Sequence, residues 1–290
     1  MNYLSKINKS NKLIYFKIHL SQYMLVMKIV VFDLDETLGY FTQYGIFWDS
    51  LANYLKSKNK NQLTQSDFDD ILDLYPEFLR PNIINILIYL KNKKRSNCCH
   101  KMMIYTNNTG PREWAKYIVK YFEKKINFKI IDQIIAAFKI NGKRLEICRT
   151  TQNKTHKDLI KCTKIPADSE ICFMDDFFYP EMVNDNIYYI NIKPYMYELT
   201  FEIMIKRFLD SDIGKKLVGE DRSEFEELMI KHIKLFKYMV VEKNEKEYEV
   251  DKVLGKHIIT HLEQFFNHST KNRTIKNRGN KKNRTFKKRD

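Results

Sequence analysis

The stretch Lys28-Ile-Val-Val-Phe32-Asp33-Leu-Asp35-Glu-Thr37-Leu38 passes from four consecutive apolar residues straight into a cluster of acids. An unbroken apolar run of that length suits a strand buried on both faces, whose C-terminal end meets solvent where the acids begin. The same texture recurs at residues 102–108 (MMIYTNN), near 130–137 (IIDQIIAA), at 171–176 (ICFMDD) and at 187–192 (IYYINI), giving five candidate buried strands. Helical patterns alternate with them. Residues 82–94 place apolar side chains at 83, 84, 87, 88 and 90, and residues 111–125 repeat Trp114, Tyr117, Ile118, Tyr121 and Phe122 at helical spacing, with Pro111 suited to a first turn. Strand alternating with helix predicts an α/β fold: a three-layer, Rossmann-like arrangement around a mainly parallel sheet. Such sheets bind ligands beyond the carboxyl ends of their strands, where Asp33, Thr106 and Asp175 would emerge together.

Outward from this centre, residues 38–80 carry apolar side chains at Trp48, Leu51, Tyr54 and Leu55, then at Phe68, Ile71, Leu72 and Tyr75. That spacing reads as a small insertion of two short helices beside the strand ends. After Pro194 the texture is purely helical. It comprises residues 198–210, a segment opened by a capping box at Ser223-x-x-Glu226, and residues 247–266 with Val250, Val253, Leu254, Ile258, His261, Leu262 and Phe265 on one stripe. The division expected is a basic N-terminal extension (1–26), an α/β domain (27–200), a C-terminal helical appendage (201–267) and a disordered basic tail (268–290). No internal repeat is found.

With 43% hydrophobic and 13% aromatic residues in 290, the chain can bury a substantial core, so a fully disordered protein is excluded. Its 30% charged residues and the lack of any long apolar run exclude a membrane span. The net charge of +15 is unevenly spread: residues 1–26 hold +4, residues 271–290 hold +9, and the body between holds only +2. Attraction to nucleic acid or acidic protein therefore belongs to the ends. Residues 1–26 lack a signal-peptide pattern, and Met24 and Met27 are alternative starts just ahead of the first strand. Five cysteines, odd in number and without a Cys-x-x-Cys pair, indicate neither a disulfide framework nor a structural zinc site. The compartment expected is reducing and intracellular, cytoplasmic or nuclear. Cys98-Cys99-His100 reads as a bystander, and Trp48 and Trp114 as core.

Two carboxylates two residues apart at a strand end, Asp33 and Asp35, are costly unless a cation or a specific proton compensates them. Their partners along the chain are a strand ending in Thr106, a lysine ahead of the next strand (Lys157, with Lys154 as the alternative) and a strand ending in Asp175-Asp176. Acid pair, hydroxyl, lysine and acid pair supply what phosphoryl transfer to a carboxylate needs: a nucleophile, a proton donor, hydrogen bonds to phosphate, a fixed cation and a Mg2+ site.

On these residues the chain resembles the haloacid dehalogenase superfamily of aspartate-nucleophile phosphatases. DLDETL, Leu79-Arg80-Pro81, the Tyr105-Thr106 strand end, Lys157-Asp158-Leu159 and the double-acid strand are similar to its small C-terminal-domain phosphatases, also called NLI-interacting-factor-like phosphatases, over about residues 27–200. The resemblance implies that Asp33 is the nucleophile forming an aspartyl-phosphate and that Asp35 is the general acid and then the base. It implies that Thr37 steadies the loop, that Thr37, Thr106, Asn107 and Lys157 serve phosphate, and that Mg2+ sits among Asp33, the Asp35 backbone, Asp175 and Asp176. Asp176 stands where that branch commonly has Asn, adding a negative charge. The function implied is Mg2+-dependent phosphomonoester hydrolysis, with a protein phosphoserine or phosphothreonine as substrate. The alternatives are removal of phosphate from nucleic-acid ends and a non-catalytic binding module of the same fold.

Overall fold

The computed structural model describes residues 26–110, 112–241 and 243–267. The expected N-terminal extension, the first-turn position of Pro111 and the basic tail lie outside the described residues.

The strands in chain order are β1 (Lys28–Phe32), β2 (Lys101–Tyr105), β3 (Gln133–Ile135), β4 (Lys139–Ile140), β5 (Lys143–Arg144), β6 (Glu170–Asp175) and β7 (Ile187–Asn191). All five anticipated strands form, and they make one parallel sheet in the order β3-β2-β1-β6-β7. The two-residue strands β4 and β5 pair only with each other, as an antiparallel ribbon the sequence reading did not anticipate. The helices are α1 (Thr42–Ser57), α2 (Gln65–Leu72), α3 (Ile83–Arg95), α4 (Arg112–Ile126), α5 (His156–Thr163), α6 (Phe201–Asp210), α7 (Asp212–Val218), α8 (Arg222–Ile233) and α9 (Glu245–Asn267). This is an α/β architecture compatible with a Rossmann-like fold.

Because side chains alternate across a strand, the central strands feed two cores. Val30, Phe32, Met102, Ile104, Cys172 and Met174 face a thick helical layer. Ile29, Val31, Met103, Tyr105, Ile171 and Phe173 face a thin one, covered by Leu159 of α5 with Ile165, Tyr179 and Met182. The register pairs Phe32 with Ile104 on one side and Met174 on the other, so the next residue, Asp33, falls beside Asp175. Its backbone N–H donates to the Met174 carbonyl at 2.9 Å.

Residues 201–267 do pack on the sheet domain, where the Tyr188 hydroxyl of β7 bonds to Gln264 of α9 at 2.9 Å. They share one core with the insertion: Phe47 meets Phe208 with ring centroids 5.6 Å apart, Tyr54 meets Phe225 at 4.8 Å, and the Tyr75 hydroxyl donates to the Met204 carbonyl. The capping box expected at Ser223 does not form, since α8 begins at Arg222 behind Asp221, which makes no side-chain cap. Helix α9 buries the C-terminal half of its apolar stripe, but not the N-terminal half. It buries Asp251, Gly255, Ile258, Leu262 and Phe265, while Val250 and Val253 are about half exposed. The cause lies in two residues that an apolar count passes over. Asp251 is paired by Lys243 and by Lys193 at 3.4 Å, and a Cβ at Gly255 would stand 2.3 Å from the Pro81 carbonyl oxygen.

The expectation of no disulfide is also corrected. Cys148 and Cys162 are joined, because the chain after the ribbon folds back onto α5, an approach that the spacing of cysteines in sequence does not reveal. Cys98, Cys99 and Cys172 are free, and His100 is structural, its Nδ1 accepting from the Lys28 backbone N–H at 3.0 Å. No helix of the described residues is long and apolar enough to cross a membrane.

Candidate active site

Past β1 the chain tightens into a loop. Leu38 N–H donates to the Leu34 carbonyl, Glu36 N–H to Gly39, and Glu36 holds a left-handed backbone at φ 56°. Gly39 is required there, since a Cβ would come within 2.5 Å of the Phe78 carbonyl. Arg80, 1% exposed, fastens the loop from below, its guanidinium donating to the carbonyls of Glu36, Thr37 and Lys193. The loop thus presents Asp33 and Asp35 at the carboxyl edge of the sheet with little freedom to move.

Lys154 completes the centre. Its ammonium, 1% exposed, bridges the Asp33 carboxylate and the Asp175 carboxylate, the latter at 2.6 Å. Lys157, the lysine favoured by the sequence, is exposed in the first turn of α5 and does not enter the cluster. The physical reason is the start of the helix. Thr155 is the N-cap, its hydroxyl accepting from the Asp158 N–H, so Lys154 lies ahead of the helix and reaches the sheet edge, three residues before the outward-facing position 157.

The other expected residues are placed as follows. Asp35 accepts from the Asn108 amide at 2.7 Å. Thr106 lines the cleft, and its hydroxyl accepts from the Asn108 backbone N–H at 3.0 Å. Asn107 lines it too, but its amide is committed, donating to the Tyr179 hydroxyl and accepting from Arg149. Thr37, expected to serve phosphate, is wholly buried and donates to Asp176 at 3.0 Å, so it steadies the loop instead. Three residues here were missed. Asn108 holds Asp35, Tyr179 holds Asn107, and the buried guanidinium of Arg149 ties the Thr106 carbonyl, the Ala136 carbonyl and Asn107 together. Arg149 gives no local signal, because most of its acceptors are backbone carbonyls.

Burial raises the pKa of Asp33, with the charge of Lys154 working against it. Burial likewise pushes Asp175 to about 7 against the pull of Lys154, and Asp35 to about 7 against its hydrogen bond from Asn108. Burial disfavours the charged form of Lys154, yet the Asp33 and Asp175 carboxylates outweigh it and hold the ammonium protonated. One buried cation therefore serves several acids.

Asp33, Asp175 and Asp176 each offer a carboxylate oxygen, all within 4.8 Å of one another, the only such group among the described residues. The Asp35 side chain is outside this group, turned toward Asn108. A set of hard oxygen donors with more negative charge than Lys154 can balance fits a hard divalent cation such as Mg2+. All these groups open onto a cleft of about 300 Å³.

No protein-family model matches the sequence, and no curated protein and no solved structure matches it.

Proposed function

We propose that the protein hydrolyses phosphomonoesters through an aspartyl-phosphate, in the manner of the haloacid dehalogenase superfamily that its first motif resembles. The observation that carries this reading is the bridge of Lys154 between Asp33 and Asp175. A carboxylate at the sheet edge with a fixed cation beside it can meet a dianionic phosphoryl group without net repulsion. The Asp33 carboxylate attacks phosphorus, and the bond from phosphorus to the leaving oxygen breaks. Asp35, which burial keeps protonated toward neutral pH, gives its proton to that oxygen. In the second half Asp35 takes a proton from water as the water oxygen bonds to phosphorus, releasing inorganic phosphate and restoring Asp33. Thr106 borders the phosphoryl position, and Asn108 orients Asp35. Mg2+ held by Asp33, Asp175 and Asp176 would supply charge opposite the phosphoryl oxygens.

The substrate assigned is a phosphoserine or phosphothreonine on a protein. A second reading, removal of phosphate from nucleic-acid ends, is favoured by the +9 charge of residues 271–290. Steady-state hydrolysis of a generic aryl phosphate, with Mg2+ and with excess EDTA, tests the chemistry: turnover should require the metal and disappear in Asp33→Asn. Metal-independent turnover, or an Asp33→Asn protein keeping a tenth of the activity, would overturn it. A steep loss of affinity with salt, confined to oligonucleotide substrates that are also the best ones, would promote the second reading.

A further inference from the structure

The cleft at Asp33 opens sideways into a larger cavity of about 630 Å³, and the two share Asp35, Thr42, Asn108 and Thr109. The larger cavity is walled by Phe41, Ile46 and Trp48 from the α1 side and by Trp114 and Tyr117 of α4, with Phe236 at its mouth. Trp48 and Trp114 are the only tryptophans in the chain. Phe236 packs against His232, ring centroids 5.6 Å apart, and two residues on, the Tyr238 hydroxyl bonds to Tyr40 at 2.5 Å and to Glu198 at 2.6 Å. Beside it Leu235, Met239 and Val241 stand 71%, 83% and 69% exposed, so the apolar surface continues out of the groove. The charged residues that line the groove are all acidic, and Lys116 stands 3.7 Å from one of them, Glu113. Asp35 lies at its inner end, Asp49 and Glu113 are exposed on its rim, and no Lys, Arg or His lines it among the described residues. The body of the chain between its two basic ends holds +2, so an acidic groove there is local and not a reflection of overall composition.

We propose that this groove takes the leaving-group side of a phosphorylated protein segment. That segment carries an aromatic or large aliphatic residue next to the phosphorylated serine or threonine, and a Lys or Arg beyond it. The inference rests on the phosphatase reading and specifies its substrate. The position follows from Asp35: the group that protonates the leaving oxygen is among the residues common to both cavities, so what leaves extends into the groove. The chemistry follows from the walls and the rim. Aromatic walls reward an apolar side chain, and Asp49 with Glu113 reward a cation. A polynucleotide would meet Asp49 and Glu113 with only Lys116, 3.7 Å from Glu113, to offset them, although single-strand sites pair their stacking aromatics with a positive groove. A sugar phosphate would leave the apolar walls unfilled.

Because both tryptophans line the groove, their fluorescence reads its occupancy without reference to turnover. The full chain is titrated with phosphonate analogues, whose P–C bond hydrolysis cannot break. One is a peptide with Phe and Arg after the phosphonate residue, one its Ala and Glu counterpart, and the third probe is a 5′-phosphonate oligonucleotide. The first should change the emission and bind at least tenfold tighter than the other two. In an Asp49→Lys, Glu113→Lys double variant, both changes being at exposed positions, that preference should fall about tenfold at low salt and the effect should fade at high salt. Equal binding of the two peptides, tighter binding of the oligonucleotide, or a preference indifferent to the double variant overturns the proposal. Aryl phosphate turnover measured alongside separates the two readings. Asp33-dependent turnover without peptide preference removes only the groove assignment. Peptide preference without turnover leaves the groove as a peptide site and removes only the phosphatase reading.

Discussion

Replacing Lys154 with methionine keeps much of the side-chain volume and removes the charge between Asp33 and Asp175. Both carboxyls are buried, and the ammonium is the cation in direct contact with them. Breaking a buried pair by deleting one partner costs about 3–5 kcal/mol when the remaining charge stays ionised. Here the acids have a way out, since burial already raises both pKa values and loss of Lys154 removes the attraction that opposes it. A folded-state pKa above the unfolded one means that the folded protein binds more protons in the window between them, so stability falls as pH rises through that window. The deficit of Lys154→Met should therefore be largest near pH 8, about 3 kcal/mol or roughly 6–12 °C in Tm, and should shrink toward pH 5 as the carboxyls protonate. Thermal unfolding followed by circular dichroism in EDTA, so that no metal substitutes for the lysine, measures it. Lys157→Met is the control, exposed and expected to change stability by no more than about 0.5 kcal/mol. A Lys154→Met protein as stable as the wild type at pH 8, or a deficit that grows on acidification, would refute the reasoning.

Gly255→Ala should destabilise the fold by about 1–3 kcal/mol in urea, because the new methyl meets the rigid Pro81 carbonyl and α9 must move; a neutral or stabilising result would show that α9 does not pack as described. Asp176→Asn should raise the Mg2+ concentration for half-maximal activity by about tenfold or more, and an unchanged titration would remove Asp176 from the metal set. Reducing the Cys148–Cys162 bond, which clamps the segment carrying Lys154 onto α5, should lower stability by about 3 kcal/mol, read as a drop in Tm that Cys162→Ser reproduces without reductant. A Tm indifferent to both would mean that the bond bears no load in solution.

Buried parallel strands announce themselves in sequence because both faces need apolar side chains, and all five were legible as short apolar runs. The acids that follow β1 and β6 marked the edge where Asp33 and Asp175 meet, and strand register then put them side by side. Lys154 was misjudged for a local reason that was also visible locally: Thr155-x-x-Asp158 is a helix start, and a lysine just before an N-cap is better placed to reach a sheet edge than one in the first turn. Asn108 and Arg149 could not be read, since each acts through partners dozens of residues away, several of them backbone carbonyls that no side-chain pattern encodes. The stripe of α9 held at Ile258, Leu262 and Phe265 but failed at Val250 and Val253, where Asp251, paired by lysines, took the buried position. The union of the insertion with residues 201–267 in one core was equally hidden, since amphipathic helices show that they need a partner but not which one.

The central claim is that phosphate passes through Asp33. It is tested most directly by mixing the protein with a phosphoserine peptide and Mg2+, quenching within a turnover, reducing with borohydride and locating the product by mass spectrometry. Borohydride converts an aspartyl-phosphate to homoserine, so the account predicts homoserine at position 33 and at no other aspartate, with none formed when substrate is omitted. Turnover of the same peptide with Asp33 unmodified, or homoserine at Asp35, Asp175 or Asp176 instead, would contradict it.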